Sequence, residues 1–347
     1  MNNSQRPTLS VVLSCYNSMH AIEQLRSLRG QHELADEIIV IDDSTDGTIY
    51  PALERELANH TSRIVLHRNS SNLGMWASYN RALAMATSDL IATCDHDDFW
   101  FPDKLSVVRT ALLDPTDAGV TSDGVVMISD AKIDPPSSPN DGSFLTQQGW
   151  SPAKRQHLQS VELDFLLRRN MLSGTSLVFR RELLEKMLPL PSDMFPDHWL
   201  ACCIAASGLL QLLDIPLFRY RIHPGNAVGI GEPSRKRSEQ LRIPLARLST
   251  ETTNRLREMN ERAAGVVDSY EQFLDVRQAL RTGTRQQLIR TLRKVPLSDS
   301  VSGMRKFYPS GSRAVADVLR LAVLLTKGRG IAATSELVNI EIPDEII

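Results

Sequence analysis

Four short apolar runs constrain this chain more than any other feature: residues 9–13 (Leu-Ser-Val-Val-Leu), 38–41 (Ile-Ile-Val-Ile), 64–66 (Ile-Val-Leu) and 90–93 (Leu-Ile-Ala-Thr). They are nearly continuous and rich in β-branched residues, as strands covered on both faces must be, so parallel neighbours are expected. Helical periodicity fills the gaps: Ile22, Leu25 and Leu28 share one face, then Ile49, Leu53 and Leu57, then Ala77, Leu83 and Ala84 after Asn72-Leu73-Gly74. Alternation at this spacing predicts right-handed βαβ units and an α/β fold. In open sheets of that kind, ligands sit beyond the carboxyl ends of the strands.

Those ends are where the polar chemistry gathers. Ser14, Cys15, Tyr16 and Asn17 follow the first run, Asp42, Asp43, Ser44 and Thr45 the second, and Asp95, His96, Asp97 and Asp98 the fourth. Three carboxylates within four residues repel one another, and a hard divalent cation is the usual relief. Mg²⁺ or Mn²⁺ held by carboxylates and substrate phosphates suits such oxygen ligation. The competing readings are a solvated acidic turn, or a cap for a helix starting near residues 102–105 (Pro-Asp-Lys-Leu). Three polar clusters on one rim favour a binding site. Alternation along an extended strand end would turn His96 away from Asp95 and Asp97. Asp46, with Gly47 and Thr48, reads as a turn into the next helix, and the Pro-rich stretch 133–142 as a surface loop.

At 347 residues the chain exceeds the ~100–200 of a single domain. Its charge changes character near residue 233. The first 232 residues carry 19 Lys and Arg against 28 Asp and Glu, and residues 233–330 carry 20 against 9, which predicts a separate basic region over 233–347. There Leu241, Leu245 and Leu248, then Phe273, Leu274, Leu280, Leu288, Ile289 and Leu292, are spaced among arginines as in helices, and 312–327 has an amphipathic pattern. Such a tail suits packing, self-association into a homo-oligomer, or peripheral contact with anionic lipid at the inner face of a membrane. Aromatic residues are too sparse in it for a nucleic-acid surface. Cys15, Cys94, Cys202 and Cys203 show neither metal nor disulfide spacing and read as buried thiols. With a start that has no signal-like character, they make the cytoplasm the expected compartment. No apolar run approaches the ~18 residues needed to cross a bilayer.

Four segments stand in an order and spacing that resembles the family 2 glycosyltransferases with a GT-A fold. They are 10–17 (Ser-Val-Val-Leu-Ser-Cys-Tyr-Asn), 37–48 (Glu-Ile-Ile-Val-Ile-Asp-Asp-Ser-Thr-Asp-Gly-Thr), Asn72-Leu73-Gly74 with Asn80, and 95–105 (Asp-His-Asp-Asp-Phe-Trp-Phe-Pro-Asp-Lys-Leu). Later stretches around Gly174, Asp197 and Arg221 to His223 extend the resemblance. The pattern of Trp100, Pro102, Lys104 and Leu105 is similar to a branch that includes bacterial rhamnosyltransferase-like enzymes of surface polysaccharide assembly. The resemblance covers about residues 8–228 and implies a Rossmann-like, mostly parallel sheet flanked by helices in the region 1–232, to which the charge and periodicity above add a helical extension over 233–347. It also implies metal-dependent, inverting transfer of a sugar from a UDP- or dTDP-linked donor to a glycan or lipid-linked saccharide acceptor, as in bacterial polysaccharide or O-antigen synthesis.

By the same resemblance, Ser14, Tyr16, Asn17, Asp43, Asp95 and Arg221 hold the nucleotide. Tyr16 stacks on the base and Asp43 accepts from a pyrimidine imide N–H, which uracil and thymine both present. Asp97 matches the metal position, with His223 as a further ligand for Mn²⁺ or Mg²⁺. Asp98 and Gly174 face the donor sugar, the glycine letting backbone approach it. Asp197 matches the catalytic base, with a helix cap at His198 as the competing reading. A non-catalytic sugar-nucleotide-binding protein is disfavoured by the intact Asp95, Asp97 and Asp197. A nucleotidyltransferase would open with a Gly-rich triphosphate loop, and residues 14–17 contain no glycine.

Overall fold

In the computed structural model, which describes residues 6–45, 47–58, 60–128, 142–156, 158–168, 170–223 and 248–282, each of the four apolar runs is a strand. β1 (Leu9–Cys15), β2 (Glu37–Asp42), β3 (Arg63–Arg68) and β4 (Leu90–Asp95) are linked by α1 (His20–Arg29), α2 (Tyr50–Leu57) and α3 (Met75–Met85). They pair in parallel in the order β3-β2-β1-β4. β1, β2 and β4 are buried almost throughout, as their apolar continuity requires. β3 lies at the sheet edge and is only half-buried, so two-sided cover stops short of it. The register sets Cys15 beside Asp42 and Ser14 beside Asp95, which aligns the polar strand ends on one rim.

The face expected of α3 is corrected. Leu83 is buried as expected, but Ala77 and Ala84 are exposed, and the helix buries Ser78, Tyr79 and Ala82 beside Leu83. Small alanines tolerate either side of a helix, whereas the Tyr79 ring has area to bury and a hydroxyl that finds a partner.

After β4 come β5 (Phe99–Trp100), α4 (Lys104–Ala111), β6 (Asp117–Ile128), α5 (Phe144–Gln147), α6 (Pro152–Arg155) and α7 (Leu163–Arg168). A 3₁₀ turn (Gly174–Ser176) then leads into β7 (Val178–Arg180), followed by α8 (Leu184–Met187), α9 (Pro196–Ser207) and β8 (Leu209–Ile222). These strands extend the sheet as β4-β7-β6-β8-β5. β7 is antiparallel to β4 and β6, β5 is antiparallel to β8, and β6 runs parallel to β8. The antiparallel β4–β7 pair brings the Gly174–Ser176 turn beside the carboxyl end of β4. The β5–β8 pair, Phe99 opposite Arg219, carries the end of β8 back past the acidic turn.

The chain divides into two compact units, residues 1–162 with 170–241, and residues 163–169 with 242–347. In the second, α10 (Thr250–Arg257) starts on Ser249, whose hydroxyl accepts from the Thr252 N–H at 3.1 Å, a capping arrangement. α11 (Glu261–Thr282) buries Ala263, Val267, Tyr270, Phe273 and Leu274, close to the spacing of one helical stripe. Arg257 ties the two helices by ion pairs to Asp268 and Glu271. Helices expected over 248–282 are therefore present. Leu241, Leu245, Leu288, Ile289 and Leu292, the amphipathic stretch 312–327, most of the Pro-rich loop, and Asp46 lie outside the described residues, as does the side chain of Leu280. All four cysteines are buried free thiols. Among the described residues no helix is long and apolar enough to cross a membrane.

Candidate active site

The rim begins with Tyr16, which leaves β1 with its ring 46% exposed, an open aromatic face for stacking. Asn17 follows at φ 47°, in the left-handed region that Asn tolerates, and its N–H donates to Ser44 Oγ at 2.9 Å. That bond ties the loop after β1 to the loop after β2, and the half-buried Ser14 sits beside Asp95 in the strand register. Asp43 is almost fully buried. Its oxygens accept from Asn69 Nδ2 at 2.7 Å, Leu73 N–H at 2.8 Å and Gly74 N–H at 2.9 Å. Three of its roughly four lone-pair sites thus fix the loop that opens α3. Its neighbour Asp42 is also buried, with Oδ1 accepting from the Ser44 N–H at 3.0 Å and Oδ2 facing Arg68 Nε at 3.9 Å without a hydrogen bond. Arg68 drew no attention in the sequence, because an arginine ending an edge strand has no signature.

Asp95 ends β4 and is held from two sides. Tyr79 Oη donates to Oδ1 at 3.1 Å, while the Thr175 N–H at 2.9 Å and Ser173 Oγ at 3.3 Å donate to Oδ2. Burial, with Asp97 alongside, raises its carboxyl above the ordinary range. Gly174 is needed here for close approach. A Cβ on it would lie 3.0 Å from Asp95 Oδ1, so the glycine makes room for this carboxylate.

The acidic turn caps no helix. The chain passes from β4 through His96 and Asp97 into β5, and α4 begins later, at Lys104, with Asp103 engaging His32 Nδ1 at 2.7 Å. Because β4 stops at Asp95, strand alternation ends there too. His96 therefore lies in the turn beyond the strand, half-buried, where its charge acts on Asp95. Asp97 meets His223, Oδ2 to Nε2 at 3.0 Å, a contact 126 residues apart in sequence that the β5–β8 pairing creates. The His20 ring lies 5.1 Å from that of His223, and its pKa is lowered by burial, then by Arg221 and His223. Asp98 faces inward, with Oδ1 accepting from the Arg221 N–H at 3.0 Å and Oδ2 buried without a partner. Burial and the carboxylates of Asp97 and Asp95 push its carboxyl well above the usual range. The Arg221 guanidinium binds Glu23 and the Asp97 carbonyl, the latter from Nε at 2.8 Å, so it braces the acidic turn.

Carboxylate and imidazole converging at Asp97 and His223 form a donor set that Mn²⁺ accepts. Among the described residues no third acid, histidine or cysteine completes a shell with them. The remaining positions would fall to diphosphate oxygens and water, as is usual for Mg²⁺ and Mn²⁺ at phosphate sites.

Asp197 lies in the first turn of α9, not at its cap: Pro196 occupies N1 and Phe195 the cap position. The half-buried carboxylate accepts from Asn170 Nδ2, at 3.3 Å to each oxygen, and from the His198 N–H at 2.7 Å. Burial, then the charge of Asp95, raises its pKa to about 6. Asn170 carries no sequence signal. Two residues of α3 anchor the segment ahead of α9: Asn80 Oδ1 accepts from the Leu190 N–H at 2.8 Å, and Trp76 Nε1 donates to the Met194 carbonyl at 2.9 Å. The Trp76 ring also stacks on Phe195, 6.0 Å between centroids. Tyr220 on β8 is raised above its ordinary range by burial, then by Asp98, Asp95, Asp97 and Asp197, so its phenol lies within electrostatic reach of both the acidic turn and the base candidate.

The family model described as glycosyl transferase family 2 matches residues 10–188. The chain belongs to that family. An uncharacterized glycosyltransferase of Nostoc sp. is 27% identical over 225 residues, 63% of this chain and 66% of that protein, so the match spans just under two thirds of the relative. A UDP-Glc:α-D-GlcNAc-diphosphoundecaprenol β-1,3-glucosyltransferase of Escherichia coli is 33% identical over 107 residues, 30% of this chain and 41% of that one. A mannosyltransferase from Pyrobaculum calidifontis, solved with GDP-Man and Mn²⁺, superposes with a TM-score of 0.51 at 20% identity, over 94% of this chain and 82% of the other. The sheet and its flanking helices are those of the GT-A fold that this family adopts.

Proposed function

We propose that this family member is an inverting glycosyltransferase that moves a sugar from a nucleoside-diphosphate sugar to a hydroxyl of a glycan or lipid-linked saccharide. The observation that carries the reading is Asp197, a carboxylate tuned to about 6 within electrostatic reach of Asp95. At pH 7 such a group is largely ionised yet still basic enough to take a proton, the balance general-base catalysis favours. One-step inversion needs one base and no covalent intermediate, and Asp197 supplies the base. Tyr16 offers the base-stacking face, Asp43 holds the loop beside it, and the acidic turn with Asp95 faces the diphosphate. Asp97 and His223 would hold a divalent cation there, which when bound supplies charge neutralisation for the departing nucleotide.

The donor is expected to be UDP- or dTDP-linked, since a stacked ring and one carboxylate acceptor suit a pyrimidine. The E. coli relative is named for UDP-Glc and the P. calidifontis structure contains GDP-Man, so both belong in the test. A panel of UDP-, dTDP- and GDP-sugars, assayed for transfer to saccharide acceptors with Mn²⁺, Mg²⁺ or EDTA, decides the reading. Metal-dependent turnover of one pyrimidine donor is expected, and the Asp97→Ala protein should lose the gain in UDP affinity that Mn²⁺ gives wild type. Equal nucleotide binding in EDTA would remove the metal. Absence of any sugar-nucleotide turnover or binding would sink the function.

A further inference from the structure

We propose that Lys104 is a positioning residue for nucleotide binding: with Trp100 it clamps the Gly174–Ser176 turn that aims the Asp95 carboxylate. The inference rests on the functional reading above for what Asp95 faces, but the clamp itself is a matter of geometry. Lys104 is fully buried, 0% exposed. Its Nζ donates to the Thr175 carbonyl at 2.7 Å and lies 4.4 Å from the Trp100 ring centroid and 5.2 Å from that of Phe218. Trp100 Nε1 donates to Thr175 Oγ1 at 2.8 Å. Thr175 is therefore gripped by its carbonyl and its hydroxyl, and its N–H is the group that donates to Asp95 Oδ2 at 2.9 Å. The rest of the turn is equally fixed: Thr93 Oγ1 donates to the Gly174 carbonyl, and Gly174 lies directly against the Asp95 carboxylate.

A buried ammonium is costly unless it is compensated. Here burial pulls the Lys104 pKa down to about 7, and two aromatic faces with the nearby Asp98 and Asp95 offset that cost only in part. A residue that only filled this space would do better as an apolar side chain of the same length. The amine instead sits beneath a rim of three acidic side chains, and it delivers its hydrogen bond to Thr175, whose N–H, with Tyr79 and Ser173, orients Asp95. It touches no substrate in this arrangement. Its effect reaches the nucleotide through the geometry and charge of Asp95.

Lys104→Met, Trp100→Phe and Thr175→Val test this, each with a melting temperature, by two readouts. Calorimetric affinity for UDP, dTDP and GDP with Mn²⁺ should fall about 10–100-fold in Lys104→Met and roughly 3–10-fold in the other two, the range for losing one charged or one neutral hydrogen bond. Amide hydrogen exchange at Thr175 should accelerate in all three. Acceptor KM should stay as in wild type, which a general loss of structure would not allow. Wild-type affinity together with wild-type Thr175 exchange, in folded Lys104→Met or Trp100→Phe, overturns the proposal. If Lys104→Met does not fold, the other two variants retain the Lys104 side chain and decide by the same readouts. A wild-type protein that binds none of the three nucleotides refutes the functional reading alone, and Thr175 exchange in the variants then decides whether the clamp exists.

Discussion

Asp197 sits in two opposing environments. The first turn of α9 favours a negative charge through the helix dipole, whereas burial and the charge of Asp95 oppose it, and the balance leaves a pKa of about 6. Two outcomes follow for the proposed base. Asp197→Asn keeps shape and most donor affinity while losing the proton sink, so kcat should drop roughly 10²–10⁴-fold with donor Kd nearly unchanged. Turnover near wild type would remove Asp197 from the mechanism. In the wild type, kcat/KM should rise with pH along an acid limb centred near 6, since the base works only when ionised, and not near the ordinary carboxylate value of about 4. A limb that persists unchanged in Asp197→Asn would assign it to another group. The same shift affects stability. The native carboxyl holds its proton more tightly than the unfolded chain does, so the native state binds more protons between about pH 4 and 6, and this group's contribution falls as pH rises through that window. Asp97, Asp197 and His223 stand out in the sequence because each sits in a short motif, and the meeting of Asp97 with His223 is what the fold adds. Lys104 was legible as a letter of the motif but not as a buried amine, because nothing local says that its side chain turns inward beneath Thr175.

Element α3 does more than cross over between strands. It closes on Asp43 at its start, presents Tyr79 to Asp95, and holds the segment ahead of α9 through Trp76 and Asn80. Asn80→Ala should therefore lower stability by about 1 kcal/mol, the typical worth of one hydrogen bond. It should also reduce kcat more than donor affinity, because the turn carrying Asp197 loses an anchor while Asp43 and Asp95 keep theirs. An unchanged kcat with lowered stability would make the anchor purely structural. The parallel strands β1 to β4 were readable because burial on both faces forces unbroken apolar runs. β6 and β8 were not: β8 breaks its alternation with three exposed residues in a row and then two buried ones, and its pairing with β6 shifts register repeatedly, so no clean period survives in sequence. The face of α3 was misread for a related reason, since counting alanines as apolar hid a tyrosine whose ring is buried for the sake of its hydroxyl.

At the scale of the whole molecule, the change of charge near residue 233 and the division into compact units do not coincide in one respect. A short helix, α7, belongs with residues 242–347 although it is embedded in the first half of the sequence. It is six residues long, too short to hold its own hydrogen bonds in isolation, and it packs on α11 while burying Leu163, Leu166 and Leu167. A cut at residue 241 would strip that packing and expose three leucines of an unsupported helix. The truncated protein should be insoluble or aggregate in size-exclusion chromatography, with or without lipid. A cut after residue 282 keeps α7, α10 and α11 and should give a folded protein with wild-type turnover on a water-soluble acceptor. Should the 241 truncation prove monomeric and fully active, the second unit would be dispensable for folding. Co-sedimentation with anionic vesicles would then become the measurement to make on the full chain. Binding that weakens with added salt would assign the arginines to a lipid surface, because screening acts on exposed charges and leaves apolar packing untouched.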